Sequence, residues 1–242
     1  MGISQRSFEV LFGRFQDGDT YIQSLTIFDP TKAIIKKANL TLFIADVILK
    51  DKAVNLALQA YRDAVAERKA LSFKYPKCDT NCLENRIRNI HSFIGSDISK
   101  DKAAYKLIGG FIKKIAPVYK KDPLLPKGSG KSPSEKSYVA LNGYGTQTSE
   151  LINDLGIAYA PTNTYIEAAA FGTFVNDMIA RAKLVSKLEG NHSDAVKIRY
   201  EIYHGKDGLL ERQATIKEYL ASFPEGKNSQ NYIEFNRLIK GN

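Results

Sequence analysis

The chain has 242 residues, 43% of them hydrophobic and 25% charged, enough apolar material for one large core or two small ones. No apolar run approaches the ~18–20 residues that span a bilayer, and two cysteines, Cys78 and Cys82, cannot make a disulfide framework. The net charge of +9 lies mostly in the first half: residues 1–125 carry 21 Lys+Arg against 13 Asp+Glu, and residues 126–242 carry 14 against 13.

The first residues, MGISQRSFEVLF, lack a basic stretch, an apolar run and a small-residue cleavage site. No secretory leader is read there, and a cytoplasmic location is expected. Gly2 does not open a myristoylation signal, because Arg6 stands where Ser or Thr is required. A first helix is predicted over Gln5–Leu25, with Phe8, Leu11, Phe12 and Phe15 at helical spacing. Asp29-Pro30 then reads as an N-cap followed by a first-turn proline. From there to Tyr75 the chain has no glycine and no further proline. Ile34, Ile35, Ala38, Leu42, Ala45, Ile48 and Leu49 recur at helical spacing. One helix of about 45 residues, close to 70 Å long, is expected up to Pro76. A helix of that length needs neighbours along its length, which implies an elongated bundle.

Two short helices follow at about 80–94 and 101–115. A connector rich in Pro, Gly, Ser and Lys runs from Lys120 to Ser134. The pattern then starts again. A helix over Glu135–Leu155 is weakened by Gly143 and Gly145, and a long one runs from Pro161 to about His204. Gly172 and Gly190 lie inside the long helix, and Gly190-Asn191 is expected to bend or break it. Stretches at about 207–222 and 229–240 close the chain. Strand signals are nearly absent, so the expected class is all-α.

Sliding the chain against itself until Pro30-Thr31 meets Pro161-Thr162 explains the recurrence. In that register Ile35 meets Ile166, Phe43 meets Phe174, Asp46 meets Asp177, and Asp63-Ala64-Val65 meets Asp194-Ala195-Val196. About 13 identities fall in 44 positions without a gap. The register slips slightly on either side of this block. Before it, Ser7-Phe8 meets Ser137-Tyr138; after it, Leu83-Glu84 meets Leu210-Glu211 and Tyr105 meets Tyr232. The sequence therefore reads as a tandem duplication of a four-helix unit: residues 1–116, a linker at 117–134, and residues 135–242.

No catalytic, cofactor-binding or metal-binding residue is assigned. Cys78 and Cys82 could supply two ligands, but a structural zinc site wants four, and His91, His192 and His204 are scattered. Gly128-Ser129-Gly130-Lys131-Ser132 imitates the end of a phosphate-binding loop, yet Leu125 replaces its first glycine and Pro133 follows it. Asp46/Asp177 and Arg68/Arg199 recur in both copies. Within one helix they lie 22 positions apart, about 33 Å, so the expected role is an Asp–Arg ion pair between different helices. Tyrosines beside lysines, as in Phe73-Lys74-Tyr75-Pro76-Lys77 and Tyr119-Lys120-Lys121, can stack on bases or anchor a protein contact, and ordinary packing or self-association is preferred to nucleic acid.

Some segments carry a resemblance: Ser4-Gln5-Arg6-Ser7-Phe8, Phe28-Asp29-Pro30, Asp63-Ala64-Val65-Ala66-Glu67-Arg68, Ser92-Phe93-Ile94-Gly95-Ser96 and Tyr105-Lys106-Leu107-Ile108. Their order resembles that of an uncharacterised family of duplicated all-helical proteins from Bacteroidetes-type bacteria. The resemblance implies a fold and a bacterial source, and no activity or cofactor. The second copy departs from it, with Ala221-Ser222-Phe223-Pro224 in place of the Ser-Phe-Ile-Gly segment.

The resulting expectation is a non-enzymatic structural or scaffold protein that associates with itself into a homo-oligomer or filament. The alternative is a basic module that binds nucleic acid or another polyanion weakly through the first half.

Overall fold

The computed structural model describes residues 5–72, 81–115 and 138–241. The connector expected at 117–134, the phosphate-loop imitation at 128–132 and Cys78 lie outside the described residues. Among the described residues the chain is all-α, with no strand. The helices are α1 (Gln5–Ser24), α2 (Lys37–Ser72), α3 (Leu83–Phe93), α4 (Ala103–Ile115), α5 (Tyr138–Asp154), α6 (Ala168–His204), α7 (Leu209–Ala221) and α8 (Gln230–Lys240).

The long helices start later than the proline signals suggest. The chain first makes a single 3-10 turn, Ala33–Ile35 before α2 and Thr164–Ile166 before α6. It then breaks at an extended residue, Lys36 (ψ 138°) or Glu167 (ψ 144°). The break buries Ile35 and Ile166 in the core. It also lets Lys37 donate from Nζ to the carbonyls of Gln23 (3.0 Å) and Leu25 (2.6 Å), which satisfies acceptors at the end of α1. With 36 residues, α2 is about 54 Å long instead of the expected 70 Å. The expected break at Gly190 does not occur. A Cβ there would meet nothing within 4 Å, so the only cost is helix propensity, about 1 kcal/mol, and α6 continues. Gly145 has a packing role instead: a Cβ would stand 3.2 Å from Val175 Cγ2, so the bare backbone of α5 is what admits Val175.

Residues 1–60 with 189–242 form one compact unit, and residues 61–188 form the other. The expected division into 1–116 and 135–242 therefore does not describe how the cores are built. The boundary at residues 60 and 61 falls inside α2 and that at 188 and 189 inside α6, so each long helix contributes to both units. The first unit's core packs Phe8, Phe15, Ile22, Leu40 and Val47 against Ile202, Leu209, Ile216 and Phe235. The second packs Leu83, Ile87, Ile90 and Ile108 against Leu141, Ile152, Phe171 and Met178.

Candidate functional site

The first unit holds a surface that its own core does not use. On α2, Leu40, Val47 and Val54 are at most 2% exposed. They repeat every seven residues and make the buried face. Leu42, Leu49 and Leu56 repeat with the same spacing roughly 200° around the helix, and they are 67%, 68% and 62% exposed. Ala45 and Ala53 lie on that face and are also exposed, as is Ile48 at its edge. Asp46 and Lys50 flank it on one side and Lys52 on the other. Several residues whose spacing predicted an ordinary packing face thus stand in solvent. A Leu stripe of this regularity is the sequence pattern of a helix–helix seam.

Two arginines brace the starts of the long helices. In the second unit Arg86, buried on α3, donates from Nε to Asn81 O (3.0 Å) and from Nη1 to Tyr165 O (2.5 Å). Its guanidinium lies 4.2 Å from the centroid of the Phe174 ring. In the first unit Arg212 on α7 donates to Asp207 O (2.8 Å) and to Ile34 O, and lies 4.2 Å from the Phe43 ring. Burial lowers the pKa of both, and Asp207 and Glu211 partly oppose this at Arg212. A guanidinium remains charged regardless. Tyr165 and Ile34 belong to the 3-10 turns, so each arginine ties a turn down where its carbonyls lack helical partners. Sequence reasoning missed this pair because it set Leu83 on Leu210 after the long helix. The first residues of α3 and α7 are Leu83 and Leu209, and only that register places Arg86 on Arg212.

The recurrent Asp and Arg residues do not pair as expected. Asp46 bonds Lys50 (2.7 Å) and Asp177 faces Arg181 (3.5 Å), each within its own helix. Arg199 does join two helices, but its partner is Asp51, 2.8 Å away. The Arg199 side chain is 4% exposed and also lies over the Phe8 ring. Arg68 stacks 3.7 Å above the Tyr138 ring, and its buried Nε makes no hydrogen bond among the described residues.

The second unit contains a basic cleft of about 760 Å³ between α3 and α4, lined by Arg88, His91, Tyr105, Lys106 and Lys113. Glu84 engages Arg88 at 3.0 Å. His91 lies flat on Tyr105 with centroids 4.0 Å apart, and it occupies the space that a side chain on Gly109 would fill. Burial lowers the His91 pKa, which favours the neutral ring. His204 packs on Tyr200 and Tyr203, and His192 lies elsewhere on α6. The three histidines therefore make no common site. Among the described residues no group of three or more His, Cys, Asp or Glu side chains could hold a metal ion. Cys82 precedes α3 and is buried. No helix among the described residues is long and apolar enough to cross a membrane.

No family model, curated protein or solved structure matches the chain.

Proposed function

We propose that this is a non-enzymatic structural protein that associates with copies of itself. The observation that carries the reading is the double-faced α2, apolar on two opposite sides with one side covered by the chain's own core. Three leucines exposed in a row at seven-residue spacing serve nothing in the folding of their own unit. They cost solubility unless another surface covers them. The proposal includes the tandem duplication of a four-helix unit. The register that sets Pro30 on Pro161 supports it, because it also sets Lys37, the first residue of α2, on Ala168, the first of α6. The matching arginine braces support it too. The proposal also retains the resemblance to duplicated bacterial helical proteins. The test is size-exclusion chromatography with light scattering, and electron microscopy at high concentration. A mass at least twice that of one chain is expected. A monomer at every concentration up to millimolar would overturn the reading.

The basic cleft favours a second reading, weak binding of nucleic acid or another polyanion in the second unit. It predicts retention on heparin that falls steeply with salt. Lys106→Glu with Lys113→Glu should abolish that retention. The proposal also includes a cytoplasmic location.

A further inference from the structure

We infer that the exposed face of α2 pairs antiparallel with the same face of a second copy, across a two-fold axis at Leu49. The inference rests on the self-association proposed above and specifies its geometry.

The argument is the symmetry of the stripe about its own centre. An antiparallel partner brings the residue n positions before the axis level with the residue n positions after it. Leu42 and Leu56 lie seven positions either side of Leu49, and Ala45 and Ala53 lie four either side. Each level of the seam therefore holds one kind of residue: leucine with leucine, and alanine with alanine. The alanines sit where two helices must approach closely, and both are exposed and free of bulk. At about 100° per residue, Leu42, Ala45, Leu49, Ala53 and Leu56 fall within an arc of about 80°. That arc is the width of a single helix–helix seam.

Charge then fixes the direction. Asp46 and Lys50 flank the same side of the seam and are bonded to each other within the helix (2.7 Å), with both side chains about half exposed. An antiparallel two-fold sets that side of one copy against the same side of the other. Asp46 lies three residues before the axis and Lys50 one residue after it. Asp46 of each copy then comes within about 3 Å in height of Lys50 of the other, at 1.5 Å per residue. A parallel pair in register would instead turn that side toward the opposite flank of the partner, where Lys52 stands. Lys50 and Lys52 would then lie within about 3 Å in height of each other, a repulsive arrangement at both edges of the seam. The face is thus complementary to itself in shape and in charge, and only in the antiparallel sense. Such an isologous contact closes at two chains.

The experiment uses the full-length protein. Leu49→Glu should convert the associated species to monomer while circular dichroism stays unchanged. Asp46→Lys alone should weaken association at least tenfold, and Asp46→Lys with Lys50→Asp should restore it, because the swap recreates the cross-pair. Direction is read by disulfide trapping. A mixture of differently tagged Leu42→Cys and Leu56→Cys chains should cross-link to each other, and Leu42→Cys chains should not cross-link among themselves. The wild-type chain supplies the background. An associated wild type that stays associated as Leu49→Glu would overturn this inference and leave the self-association standing. So would self-linking of Leu42→Cys chains. A wild type that is monomeric throughout would overturn both.

Discussion

The long helices of the two units share one face and differ on the other. In α6, Phe171, Met178 and Val185 are buried, and they are the counterparts of Leu40, Val47 and Val54 of α2, which are buried too. The inward faces thus answer the same demand with different apolar residues. On the outward face, α2 exposes Leu42, Leu49 and Leu56 where α6 exposes Thr173, Ala180 and Lys187. The second helix shows that the architecture tolerates a polar outer face. The leucines of the first are therefore not required by the fold, and the proposed contact with a second copy would account for them.

The sharpest way to break this comparison is to truncate both faces of α2. Leu40→Ala should cost about 3 kcal/mol of stability, because it removes a fully buried side chain and leaves a cavity. Leu42→Ala should change stability by less than about 0.5 kcal/mol in dilute solution, where no partner covers it. Chemical denaturation of the two variants reads the difference. Equal losses would mean that the outer leucines do support the fold.

The next effect tests the ion pair. Asp51→Ala leaves Arg199 buried without its carboxylate, and a loss of about 2–3 kcal/mol is expected, somewhat less than for a fully enclosed pair because the Asp51 side chain is 20% exposed. Asp51→Asn should lose less, since an amide oxygen keeps a partial negative charge beside the guanidinium. The loss should shrink little in high salt, as a pair screened from solvent responds weakly to ionic strength. The two arginine braces come third. Arg86→Met and Arg212→Met should each cost about 2 kcal/mol, the worth of charge-assisted bonds to backbone carbonyls. Arg86 should be the costlier of the two because it is the more buried. Amide exchange should accelerate first around residues 164–168 for one and 33–37 for the other.

Fold class and element positions were largely legible in the sequence. The short helices predicted at 101–115 and 229–240 occur at 103–115 and 230–240, because local apolar spacing and turn residues decide such elements. Three features were not legible. Spacing alone located the stripe through Leu42, Ala45, Ile48 and Leu49, but it could not say which of two apolar faces the core would take. That each long helix serves both units depends on packing between segments far apart in the chain, and nothing local in the sequence records that. Arg86 and Arg212 were missed for want of a single position of register. A buried arginine looks like any surface arginine until the carbonyls it serves are placed, and those carbonyls lie 79 and 178 residues away in the chain.

The smallest expected effect is also the one that sharpens the comparison most. Arg199 and Arg68 occupy corresponding places and both lie over an aromatic ring, Phe8 and Tyr138. Arg199 has Asp51. In the register that sets Pro30 on Pro161, the counterpart of Asp51 is Ala182, so Arg68 has no carboxylate there; the buried Nε of both arginines lacks a hydrogen bond among the described residues. Ala182→Asp should place a carboxylate where Arg68 can use it. A gain of about 1 kcal/mol is expected, the surplus of an ion pair over the cost of burying the new side chain. Arg68→Met should abolish the gain, so a double-mutant cycle isolates the pair. No gain, or a gain that survives Arg68→Met, would mean that the two arginines answer different surroundings and that the correspondence between the units stops at the braces.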